Sequence, residues 1–130
     1  MDREDHFNMW SETQHALGYT QGIKAGPTVY LSGTAALDEK FQTVAPGDLG
    51  AQMRYVYERI AESLAHWGLD FRHVVRENMY VTSIDELLPH MAYRKGMYGD
   101  GPFPTSTTVE VQKLFAPGLM IEIEVTAVEA

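Results

Sequence analysis

Near the C-terminal end of the chain, Met120-Ile-Glu-Ile-Glu-Val-Thr-Ala-Val128 sets two carboxylates, Glu122 and Glu124, two residues apart among Ile121, Ile123, Val125 and Ala127. That period belongs to a strand with one apolar and one polar face, so both carboxylates share a face. A carboxylate there can act as a general base on water if partial burial raises its pKa. The same residue can equally be an exposed strand carboxylate or an ion-pair partner. Upstream, Phe103-Pro-Thr-Ser-Thr-Thr-Val-Glu-Val111 puts Thr105, Thr107, Val109 and Val111 on one side and Ser106, Thr108 and Glu110 on the other. Joined through Phe115-Ala-Pro-Gly118, the two stretches read as an antiparallel pair whose polar faces bring hydroxyls and carboxylates together. Glu110 and Glu124 lie close enough in register to Glu122 for a paired-carboxylate site.

Other chemistries lack their residues. There is no cysteine, which excludes disulfides, thiol catalysis and Cys-based metal sites. His6, His15, His66, His73 and His90 have no metal-ligand spacing. No serine sits in a Gly-x-Ser-x-Gly elbow, and no glycine-rich phosphate loop occurs. No metal site is expected. The net charge of −8, with no block of Lys or Arg to neutralise phosphates, argues against nucleic acid as a partner. The N-terminal Met1-Asp-Arg-Glu-Asp-His6 is charged and no apolar run follows it, so neither a signal peptide nor a membrane span is expected. The expectation is a soluble cytoplasmic protein whose partner is a small molecule.

At 130 residues the chain is expected to form one domain over 19–130, preceded by an irregular arm over 1–18 anchored by Phe7, Met9 and Trp10. A strand within 19–24 and another at Thr28-Val-Tyr-Leu-Ser32 flank the turn Gly26-Pro27 and read as a hairpin. Gly33 follows, at a strand end where glycine marks a bulge or a close approach to the backbone. A polar loop, with a short strand near 41–44, leads to a helix over 48–67. There Leu49, Met53, Val56, Ile60, Leu64 and Trp67 recur at steps of three and four, between an Asp48 N-cap and Gly68. Arg54, Glu58, Glu62 and His66 form its solvated face.

Val74-Val-Arg-Glu-Asn-Met-Tyr-Val-Thr82 reads as a strand, reached by a helical crossover that implies a right-handed βαβ unit. A second helix follows, with Leu87, Met91 and Tyr98 as its buried stripe. Asp85 is the preferred cap because it leaves Pro89 in the first turn, and Ser83 with Glu86 is the alternative. The order is β-β-α-β-α-β-β, an α/β (α+β) fold whose mixed sheet carries two helices on one face. The other face bears Glu122 and Glu124, which suits polar clefts between subunits better than an apolar interface.

Gly18-Tyr-Thr-Gln-Gly22, Val29-Tyr-Leu-Ser-Gly33, the strand 74–82, Phe103-Pro104 with Val109-Glu-Val111, and Ile121-Glu-Ile-Glu-Val125 resemble, in order and spacing, the Rid family (RidA/YjgF, formerly grouped as L-PSP endoribonucleases). The resemblance covers roughly residues 17–128. It implies a chorismate-mutase-like fold and a homotrimer with ligand sites at its subunit interfaces. The implied activity is hydrolysis of reactive enamines and imines, such as 2-aminoacrylate, to keto acids and ammonia, without a metal or organic cofactor.

Carried over residue by residue, Tyr19 falls on the tyrosine that lines the family's pocket and Gly33 on the glycine whose backbone faces the ligand. Glu122 falls on the glutamate that positions the attacking water. Ser106 stands where the family has an arginine that clamps the substrate carboxylate bidentately, a role a serine does not reproduce. Thr34 and Met91 replace a frequent glutamine and asparagine, and Thr108 offers a further hydroxyl. Arg54, Arg76, Arg94 and Lys95 are the cations available to replace the clamp. Two function classes follow: an enamine or imine deaminase whose substrate is held without the usual arginine, for instance an aminomuconate-type product, and a non-catalytic metabolite-binding or regulatory trimer. A ribonuclease activity is disfavoured by the acidic chain.

Overall fold

The computed structural model describes residues 5–129; residues 1–4, which begin the charged N-terminal run, and residue 130 lie outside them. The chain runs β1 (His6–Phe7), α1 (Ser11–Leu17), β2 (Gly22–Ala25), β3 (Thr28–Leu31), β4 (Thr34–Ala35), α2 (Leu49–Ala65) and β5 (Val74–Val81). It continues with α3 (Ile84–Leu87), α4 (Met91–Met97), β6 (Thr105–Glu110) and β7 (Ile121–Val128). The result is a mixed α+β fold on one sheet, in the order β1-β2-β3-β7-β5-β6, with β4 also paired to β7.

The alternation in the last strand is what the sheet is built on. Ile121, Ile123, Val125 and Ala127 are buried against the helices, while Glu122, Glu124 and Thr126 face the other way. On the core side α2 lays down Met53, Val56, Ile60 and Leu64, all fully buried, each contributing about 1.5–3 kcal/mol. The helix begins at the expected cap, with the Ala51 N–H donating to Asp48 Oδ1 at 3.0 Å, and Arg54, Glu58, Glu62 and His66 are exposed as expected. Just beyond it Gly68 takes a positive φ of 70°, which glycine adopts without a Cβ penalty.

Four local expectations are corrected. The last two strands do not pair with each other. Both edges of β7 are occupied, by β3 and β4 on one side and β5 on the other, and β6 lies beyond β5 and parallel to it. The connection over 111–120 is also too long for a tight hairpin. The N-terminal arm is not irregular: it holds β1 and α1. Its helix escapes periodicity because the residue it buries is a glutamine, Gln14. The second helix is capped by Ser83, whose hydroxyl accepts the Glu86 N–H at 3.2 Å, and not by Asp85. A 3₁₀ turn over Leu88–His90 separates α3 from α4, so Pro89 is never asked for an interior helical hydrogen bond. The short strand near 41–44 is only a single bridge, Leu37 to Thr43.

Two buried polar side chains lock the layers together. Glu77 on β5 is fully buried and accepts from Arg94 Nε at 2.7 Å, Tyr57 Oη at 3.0 Å and Tyr98 Oη at 2.6 Å, joining the sheet to α2 and to the α4 end. Gln52 on α2 donates to the Ala45 and Gly118 carbonyls and accepts the Met120 N–H at 2.8 Å, which anchors the entry to β7. Gln52→Leu preserves volume and orphans the Met120 N–H. It is expected to destabilise the fold by about 2 kcal/mol, seen as a lower urea midpoint at unchanged m value.

Candidate active site

The ladder between β3 and β7 stops at Tyr30–Thr126 and resumes at Thr34–Ile123, so residues 31–33 face only 124–125. This is a bulge, one extra residue on the β3 side. Gly33 sits in it, and a Cβ built there would lie 2.8 Å from Cδ of Glu122. A side chain here would have to push the Glu122 carboxylate aside; glycine admits it against the backbone. Ser32 holds the bulge from the other side, its hydroxyl donating to the Thr20 carbonyl at 2.6 Å.

Glu122 pairs across the sheet with Ala35 on one side and Tyr80 on the other. Among the described residues no donor is hydrogen-bonded to its carboxylate. Burial pushes its pKa above the ordinary glutamate value, and the neighbouring charge of Glu124 adds to the shift. Glu124, two residues on, is in the opposite condition: Tyr80 Oη donates to it at 2.7 Å and Asn78 Nδ2 at 3.0 Å. The two carboxylates of one strand face are thereby differentiated, one held and one free to take a proton. Glu110 is remote from both and accepts the Ile84 N–H at 2.9 Å.

Beside Glu122 opens a cavity of about 290 Å³, walled by Tyr19, Gly33, Thr34, Phe41, Arg59 and Phe115 and roofed by Trp10, Gln14 and Leu17 from the N-terminal arm. Tyr19 follows Gly18, which closes α1 in the left-handed conformation. Burial raises the Tyr19 phenol pKa, and the charge of Glu122 contributes, so the phenol remains a proton donor at neutral pH. Thr34 is buried, its hydroxyl accepting from Gln21 Nε2 at 3.0 Å. Gln21 accepts in turn from Gln14 Nε2 at 3.0 Å, a buried relay that pins the roof helix to the cavity floor.

The structure therefore brings Tyr19, Gly33, Thr34 and Glu122 to one cavity. It does not bring Met91, Ser106 or Thr108 there. Met91 packs on the hydrophobic core. Ser106 and Thr108 are in register with Glu77 and Met79 of β5, on the core side of the sheet, whereas Glu122 is on its opposite face. The expected meeting of hydroxyls and carboxylates within one chain fails because β5 is inserted between the two strands. None of the four cations considered as replacements lines the cavity. Arg94 is bound to Glu77, Arg54 lies over Tyr93, Lys95 lies over Phe103 and Arg76 is exposed. Periodicity missed Arg59, Trp10, Phe41 and Phe115. Arg59 carried no signal in the sequence: Ser63, one turn on, marks its face only once the burial of that serine is known.

The model of the endoribonuclease L-PSP family matches residues 10–129. The mitochondrial protein mmf2 of Schizosaccharomyces pombe is 35% identical over 113 residues, 85% of this chain and 87% of that protein. A Mycobacterium tuberculosis member of the YjgF/YER057c/UK114 family, known from a crystal structure, superposes with a TM-score of 0.81 at 32% identity, over 95% of this chain and 97% of that one. The 2-iminobutanoate/2-iminopropanoate deaminase of Rattus norvegicus is 27% identical over 121 residues, 92% of this chain and 86% of that protein. The chain belongs to the endoribonuclease L-PSP family, also called the Rid or YjgF family.

The raised pKa of Glu122 has a consequence for stability. The folded state holds this proton more tightly than the unfolded chain does, so the stabilisation is complete below the unfolded pKa and is lost as pH rises through the folded one. Glu122→Gln removes that loss. The variant should melt above the wild type at neutral pH, and the gap should close as pH falls through the raised folded pKa to the ordinary glutamate value. Thermal melts of both proteins between pH 3 and pH 8 read this directly.

Proposed function

We propose that the chain is a hydrolytic deaminase of small enamines or imines, with Glu122 as the group that activates water. The observation that carries this reading is a half-buried carboxylate with no described hydrogen-bond donor, raised in pKa, standing in a cavity wall beside a phenol. In the proposed reaction an enamine first takes its imine form. Glu122 accepts a proton from water as the oxygen attacks the imine carbon, giving a carbinolamine. In forming the carbinolamine that proton passes to the nitrogen; the hydroxyl proton then follows by way of Glu122, the C–N bond breaks, ammonia leaves and the carbon becomes a carbonyl. Tyr19 would donate a hydrogen bond to the substrate, and the bulge at Gly33 would keep the carboxylate in place. The rat relative's name is that of an imine deaminase, which supports the reaction class.

A non-catalytic metabolite-binding role is favoured by one specific feature, Ser106 at the position of the family's carboxylate-clamping arginine. A homotrimer is part of the proposal: the sheet face bearing Tyr30, Asn78, Tyr80 and Glu124 is uncovered by helices and only partly buried, and Ser106 and Thr108 reach a cavity only if a second subunit supplies it. No helix among the described residues is long and apolar enough to cross a membrane, and a reducing compartment such as the cytoplasm suits a chain without cysteine.

The test is ammonium release from freshly generated 2-aminoacrylate, larger imino acids and 2-aminomuconate. Wild type is expected to release ammonium from at least one, and Glu122→Gln to lose about 10²–10⁴-fold in rate, the usual worth of a positioned acid–base group. Activity should also fall with decreasing pH as Glu122 protonates. Turnover that survives in Glu122→Gln removes the catalytic assignment; a folded wild type that releases nothing moves the reading to a binding protein.

A further inference from the structure

Among the described residues, Arg59 is the one basic side chain in the wall of the Glu122 cavity. It projects from α2, three-quarters buried, with its guanidinium carbon 4.9 Å from the centre of the Tyr55 ring. Among the described residues its ion-pair partner is Glu62, with Nε 3.1 Å from a half-exposed carboxylate oxygen. That approach is misdirected for a hydrogen bond, and the buried Nε has no acceptor among the described residues. A contact of this kind with an exposed, hydrated carboxylate contributes little. A guanidinium presents a planar fork that fits a carboxylate bidentately. Here the fork is held in a wall, and among the described residues none of its nitrogens makes a hydrogen bond.

The rest of the wall says what the carboxylate would be attached to. Trp10, Tyr19, Phe41 and Phe115 give the cavity an aromatic lining, with Phe41 between Tyr19 and Phe115 at ring separations of 6.3 and 6.2 Å. Phe41 is kept at φ +57°, a left-handed conformation that a bulky residue adopts only under constraint from its surroundings. The constraint is Asp38, whose carboxylate takes the Lys40 and Gln42 N–H groups at 2.9 Å and folds the loop around Phe41. A backbone strained to present a ring to a cavity is a feature of ligand contact. The turn of α2 that carries Arg59 is tied in as well: Ser63 donates to the Arg59 carbonyl at 2.8 Å and is bound by Gln21, the floor of the same relay that fixes the roof helix.

Building on the deaminase reading, we infer that Arg59 is a specificity-determining residue that binds the carboxylate of an aromatic or branched-chain 2-imino acid, and of the 2-oxo acid it becomes. The carboxylate lies against the Arg59 fork, the side chain lies among Phe41, Phe115 and Trp10, and the imine carbon is presented to Glu122. The clamp thus comes from α2 and not from β6, where Ser106 stands. A cavity near 300 Å³ is at the small end of the range for ligand sites, which suits one ring or a short branched chain.

The experiment is calorimetric binding of an unreactive probe, 3-phenylpropanoate, and its neutral isostere 3-phenylpropanamide to the full chain. Wild type should prefer the carboxylate by about tenfold or more, the worth of one charge-assisted hydrogen-bonded pair. Arg59→Met should erase that preference by weakening the acid while leaving the amide unchanged. Arg59→Lys, which keeps the charge but not the fork, should weaken the acid several-fold. It serves as the test if the methionine variant does not fold. The inference is overturned if wild type binds neither probe, if it does not discriminate between them, or if the variants bind the acid as tightly as wild type. The underlying deaminase reading fails separately: Arg59-dependent binding without any ammonium release removes the reaction and leaves the site, whereas ammonium release without Arg59-dependent binding does the reverse.

Discussion

The alternation of β7, read against partners on both sides, is the constraint on which the rest of the molecule depends. A slip of one residue in its register would exchange Ile123 for Glu122 and drive a carboxylate into the core. Its pairing with β3 and β4 on one edge and β5 on the other forbids that slip. The same alternation that buries Ile121, Ile123 and Val125 therefore delivers Glu122 to the cavity. Core and site are two faces of one strand, and neither can be redesigned without the other.

Next to that strand, the most deeply buried carboxylate is tied into the packing. Glu77 is accepted in the interior because an arginine and two phenols converge on it. Removing Arg94 alone would leave a buried charge uncompensated, a situation far more damaging than losing the pair entirely. Glu122 is the contrast. It is only partly buried, carries no described hydrogen bond and sits beside Glu124, so its environment favours the protonated form. The chain spends its satisfied carboxylates on structure and keeps an unsatisfied one at the cavity.

The N-terminal segment adds the second half of the site. Through Gln14, Gln21, Thr34 and Ser63, a line of buried hydrogen bonds runs from the roof helix to the floor and on to α2. A helix of seven residues has little stability by itself. Its place is decided by this relay and by Phe7 against His66 and Trp67. The roof, the strained Phe41 loop and Arg59 are coupled through contacts made only in the folded chain.

What the chain's own residue pattern determined was the order of the main elements from β2 to β7, with β4 unseen and α3 and α4 read as one helix, together with the cap at Asp48, the Gly26-Pro27 hairpin and the polar face bearing Glu122. These are set by local periods and turn chemistry, which act within a few residues of sequence. It also singled out Gly33 as a place of close approach, although what approaches is a carboxylate nearly ninety positions away. The tertiary structure alone decided that β5 separates β6 from β7, because strand pairing over long separations leaves no mark in either strand. It alone decided that Ser106 and Thr108 turn away from Glu122, and that α1, with one buried glutamine and no apolar stripe, is a helix at all. Arg59 was invisible for the same reason. On a helix wheel it is one more charged residue between faces, and only the packing of the arm over the sheet makes it the cation of an aromatic cavity.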